Sequence, residues 1–90
     1  MSNWQPILDD IQKELTLACE KFPGWPTDPI HAAAIIAEES EELIQATLEL
    51  TYEPEKCTWE HMRSEAIQTA AMAIRFIAGM ESYQYRVAKR

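Results

Sequence analysis

The sequence predicts an all-α fold: an antiparallel helical bundle of three main helices per chain, completed by homodimerisation. Three observations carry this. The 90 residues include only 2 glycines and 5 prolines, and most of the prolines bunch around Pro23, Pro26 and Pro29, leaving long stretches free to be helical. Clusters of β-branched residues are sparse. Apolar residues recur at spacings of three and four rather than in alternation. A chain of this length makes one domain, residues 1–90, and buries only just enough surface to be stable alone. Help from a second subunit or a bound ion is therefore expected.

The first helix is expected over residues 6–21, with Ile7, Leu8, Ile11, Leu15 and Ala18 at helical spacing, and it stops where Phe22-Pro23-Gly24 forbids continuation. A turn-rich connector follows. Asp28-Pro29 then reads as an N-cap with proline in the first helical position, opening a helix that runs to about Thr51. Pro54 and its polar neighbours break the chain, and Thr58 caps a third helix reaching about Met80. So short a connection makes the second and third helices an antiparallel hairpin. The tail, residues 81–90, carries Arg86, Lys89 and Arg90 and has three open fates: extending the helix, docking or fraying. The chain shows no internal repeat or low-complexity tract.

A net charge of −7, from 15 acidic and 8 basic residues, offers no broad surface for gripping a phosphate backbone, so nucleic acid is not an expected partner. Cys19 and Cys57 form no CxxC pair and have no histidine at zinc-finger spacing; reduced thiols in a cytoplasmic setting are expected. Met1-Ser2-Asn3-Trp4 has neither a basic nor an apolar run, and no apolar segment is long enough for a membrane. No membrane partner is expected.

The run Glu38-Glu39-Ser40-Glu41-Glu42 looks like a solvated acidic face until it is placed on a helix. At about 100° per residue, Ala32, Ile35, Ile36, Leu43, Ala46 and Leu50 share one arc, with Glu39 near its middle, Glu42 at its margin and Glu38 just beyond. A carboxylate on an apolar face costs several kcal/mol unless a proton, a cationic side chain or a metal neutralises it. The second helix has no Lys or Arg. A hard divalent cation, Mg²⁺ with Mn²⁺ as an alternative, suits oxygen ligands and turns the mutual repulsion of these acids into attraction. Glu65, beside Thr69, Met72 and Phe76, is the opposing ligand expected from the third helix. Glu42 stands about 13 Å before the end of one helix and Glu65 about 10 Å after the start of the next, so the hairpin brings them abreast. His61 and Gln68 lie within reach of the site or of a bound phosphate, or else are polar groups hydrogen-bonded at the margin of the core.

Glu38-Glu39-Ser40-Glu41-Glu42-Leu43, followed 22 residues on by Glu65-Ala66-Ile67-Gln68, resembles the ExxE…ExxD signature of the MazG-like all-α nucleoside-triphosphate pyrophosphohydrolases over roughly residues 30–78. The resemblance implies a Mg²⁺-dependent enzyme that converts an NTP or dNTP to the monophosphate and pyrophosphate. It implies Glu39, Glu42 and Glu65 as metal ligands, with Gln68 in the fourth position and Glu38 as an adjoining acid; a carboxylate left free by the metal, Glu38 or Glu42, is then available as catalytic base. Gln68 departs from the family's aspartate. An amide oxygen can coordinate a metal but brings no charge, so a catalytically reduced nucleotide-binding or protein-interaction module is the alternative function. Arg63, Arg75 and tail residues such as Lys89 are the cations available to the outer phosphates.

Trp25 in the first connector is the expected base-stacking residue, set against ordinary rim packing, and His31 at the start of the second helix is a candidate anion contact. The third helix is apolar nearly all round from Ala66 to Ala78 and must be covered all round. Two further helices cannot do that, so a homodimer or a dimer of dimers is expected.

Overall fold

The computed structural model describes residues 3–85. Its secondary structure there is helical throughout: α1 (Gln5–Lys21), α2 (Pro29–Tyr52) and α3 (Trp59–Ala78), with single 3₁₀ turns at Pro54–Lys56 and Met80–Ser82. The local signals act where the sequence puts them. The Phe22 N–H closes α1 on the Ala18 carbonyl at 2.8 Å, and Pro23 follows. Asp28 Oδ1 accepts from the Ile30 N–H at 2.9 Å, satisfying one of the donors left open at the start of α2. Thr58 Oγ1 does the same for the His61 N–H of α3 at 3.0 Å.

α3 is the central element. α2 packs along it extensively and α1 less so, while α1 and α2 barely touch. The face of α2 turned toward α3 is the arc read from the sequence: Ala32 and Ala46 are buried, and Ile35, Ile36, Glu39, Leu43 and Leu50 are half-buried. Alanines at Ala32, Ala46 and Ala71 let the backbones approach closely. The opposite stripe of α2, with Ile30, Ile44, Leu48 and Tyr52, stays exposed, as do Trp59 and Ile77 of α3. These are large apolar side chains that one copy of the chain leaves wet.

α3 ends two residues earlier than expected, because the Gly79 N–H caps the Arg75 and Phe76 carbonyls and the chain then turns back. A Cβ on Gly79 would stand 3.0 Å from Trp25 Cδ1 and 3.1 Å from Tyr83 Oη, so a bare Cα is what admits both rings. Tyr83 is buried here. Its hydroxyl donates to the Phe76 carbonyl at 2.8 Å and accepts from Trp25 Nε1 at 2.9 Å, and the Gln84 N–H reaches the Thr27 carbonyl at 2.8 Å. The start of the tail thus docks on the first connector. Residues 86–90, including Arg86 and Lys89, lie outside the described part.

Candidate metal centre

Two helices deliver three carboxylates to one point. Glu39 and Glu42 sit three residues apart on α2, so they project to neighbouring positions on the helix surface, and Glu65 faces them from α3. Their nearest oxygens all lie within 4.8 Å of one another. Glu65 is 8% exposed, Glu39 half-buried and Glu42 exposed at the rim. Glu39 Oε2 and Glu65 Oε2 are both buried and have no hydrogen-bond partner. Such atoms carry the desolvation cost of an ionised group with nothing to offset it.

The titration of the cluster shows the same frustration. Burial pushes the Glu39 carboxyl above its ordinary value, and the charges of Glu42, Glu65, Glu14 and Glu38 add to that in decreasing order. Burial is also the largest influence on Glu65, followed by the neighbouring Glu42 carboxyl, with which it can share a proton, and by the Glu42 charge. His61 pulls the other way; its Nε2 stands 3.6 Å from Glu65 Oε1. Two carboxylates hydrogen-bond each other only when one keeps its proton. A dication would satisfy the orphaned oxygens with every carboxylate ionised. The donor set is all hard oxygen, confined to one side, and so leaves room for the waters that Mg²⁺ retains.

A groove leads away from this point because α1 and α2 both rest on α3 without closing on each other. It is a cleft of about 700 Å³, with Gln68, Met72 and Arg75 from α3, Glu39 from α2, and Glu14 and Lys21 among the residues from α1. That volume lies within the range of small-molecule sites, about 300–1,000 Å³.

The sequence-predicted residues distribute unevenly around this geometry. Glu39, Glu42, Glu65 and His61 come together. Glu38 is exposed but near enough for its charge to act on Glu39. Gln68 lines the cleft beside Glu39, with its amide donating to Ser64 Oγ at 3.3 Å. Arg75 is buried and also lines the cleft, and Trp25 packs under its guanidinium at 4.8 Å. Trp25 thus lies in the rim packing set against its base-stacking role, its indole N–H taken up by Tyr83. Arg63 engages Asp10 at 2.8 Å, which ties α3 to α1. His31 is exposed, about 12 Å along the α2 axis from Glu39.

Glu14, Lys21 and Phe22 are cleft residues that the sequence reading passed over. Glu14 had a signal: it falls three residues after Ile11 and four before Ala18, on the stripe of α1 that faces inward. Comparison with protein-family models, with curated proteins and with solved structures returns no match.

Proposed function

We propose that this chain is a Mg²⁺-dependent nucleoside-triphosphate pyrophosphohydrolase of the MazG-like kind, acting in the cytoplasm as a homodimer or dimer of dimers. The observation that carries the reading is the convergence of Glu39, Glu42 and Glu65 with two buried carboxylate oxygens left unpartnered. An acidic patch built only for solubility has no reason to bury such atoms. Supporting it are the ExxE…ExxQ pattern that places these residues and a cleft of nucleotide size opening beside them.

A bound Mg²⁺ would neutralise phosphate charge and activate water for attack at the phosphoanhydride between the α- and β-phosphates. Glu39 and Glu65 hold the inner positions. Glu42, at the exposed rim, takes the proton of the attacking water or shares the cation, and Glu38 is the next acid outward. Gln68 contributes a neutral oxygen or donor at the cleft wall. In an antiparallel bundle, the exposed stripe of α2, Ile30, Ile44 and Leu48, is the surface a second copy covers.

One observation favours the reduced-site reading. Gln68 brings no fourth charge to the cluster and donates its amide N–H to Ser64, so a chain that binds nucleotide without turning it over is the second reading. Pyrophosphate release from a panel of Mg²⁺-triphosphates separates the two. The leading reading predicts turnover of at least one triphosphate, abolished by Glu39→Gln; unchanged turnover in that variant rules it out.

A further inference from the structure

Arg75 is the one described residue other than Glu65 that is both charged and buried, at 8% exposure. Its surroundings answer its hydrogen bonds better than its charge. Nη2 donates to the Phe22 carbonyl at 2.7 Å and to the Gly24 carbonyl at 3.3 Å, and the guanidinium lies over the Trp25 ring at 4.8 Å. Among the described residues no carboxylate pairs with it, although 15 acidic side chains were available to the sequence. Nε and Nη1 have no hydrogen-bond partner among those residues. A cation held at a fixed angle by neutral groups, with donors to spare and a cleft beside it, suits an anion.

The cleft supplies the rest of the argument. The same cavity is lined by both Glu39 and Arg75, and Lys21 stands at its wall with its ammonium 5.5 Å from the centre of the Phe22 ring. One ligand in this cavity can therefore meet both side chains.

We infer that Arg75, assisted by Lys21, forms a phosphate-binding subsite in the cleft it shares with Glu39 and receives the outer phosphates of the nucleotide. This rests on the reading of the carboxylates as a metal site, since a single polyanion then bridges a cation held by glutamates and a guanidinium held by carbonyls. The ring beneath Arg75 makes the subsite observable. Anion binding at the guanidinium perturbs Trp25, and Trp4 and Trp59, both well exposed, can be changed to phenylalanine so that Trp25 reports alone.

The experiment titrates that single-tryptophan protein with sodium pyrophosphate, with and without MgCl₂, while a melt in MgCl₂ alone reads the metal site separately. The expected result is a saturable change in Trp25 emission. Arg75→Gln should weaken binding about tenfold or more, the size of one lost charge-assisted contact. Arg75→Lys should lose less, because the charge stays while the planar fork goes. Pyrophosphate affinity equal to wild type in a folded Arg75→Gln protein overturns the inference and leaves Arg75 as an anchor for the connector. Should Arg75→Gln fail to fold, the parent titration still decides, since absence of a saturable Trp25 response overturns it too. A missing response with Mg²⁺ stabilisation retained sinks this subsite alone; loss of both sinks the metal reading as well.

Discussion

The carboxylate end of the cleft and the arginine end bury charge in opposite ways. At Glu39 and Glu65, like charges crowd together and two oxygens are left without partners. At Arg75, two backbone carbonyls and a tryptophan face hold one cation, and the Trp25–Tyr83–Phe76 hydrogen-bond chain braces the assembly from behind. The first arrangement costs folding free energy until something binds. The second contributes to stability while fixing the shape of the cleft. A fold of 90 residues with so few large side chains inside can carry the first only because the second, and the capped helices, hold it together.

The sharpest way to break this contrast is to neutralise one end. Glu65→Gln should lower turnover by about 100-fold or more, judged by pyrophosphate release. It should also raise the melting temperature of the metal-free protein, with a gain on the order of 1 kcal/mol, because it removes a buried carboxylate crowded by like charges and with one oxygen unpartnered. The same logic applied to the other end has the opposite sign. Tyr83→Phe leaves the Trp25 N–H without its acceptor and takes from the Phe76 carbonyl the shorter of its two bonds, which should cost about 1–3 kcal/mol by denaturant unfolding while Mg²⁺ affinity is unchanged.

Acidity sharpens the comparison next. The folded-state pKa values of Glu39 and Glu65 stand above the ordinary value of 4.5, so the folded protein holds protons that the unfolded chain releases. Their contribution to metal-free stability is therefore full below that ordinary value and lost as pH rises through the raised ones. Melting curves without metal should show these two groups favouring the fold as pH falls from neutrality toward 4.5, and stabilisation by Mg²⁺ should grow as pH rises over the same window. The smallest effect is expected outside both ends. Arg63 and Asp10 form a partly exposed pair, and Arg63→Ala should cost roughly 0.2–1 kcal/mol with turnover intact.

Much of this was legible in the residues. Asp28-Pro29 and Thr58 fixed two helix starts because a capping side chain acts on donors two or three residues away, a purely local matter. The arc through Ala32, Glu39 and Ala46 followed from helical periodicity and led to Glu65 by counting. What the sequence withheld depends on how the helices sit. That α1 and α2 both lean on α3 and leave a groove between them is a packing outcome, so Glu14, Lys21 and Phe22 stayed hidden as cleft residues. Trp25 and Arg75 could each be named as ligand contacts, but the contacts Trp25 makes with Arg75 and with Tyr83 span 50 and 58 positions of chain. The early end of α3 came from Gly79, whose missing Cβ admits two rings that local propensity does not see.

The central claim is that a hard dication belongs between α2 and α3. Thermal unfolding of the metal-free protein against rising MgCl₂ tests it most directly. The account predicts a saturable rise in melting temperature in the wild type and no rise in Glu65→Gln. A wild-type melting temperature that ignores Mg²⁺, with the protein folded and near neutral pH, would contradict it.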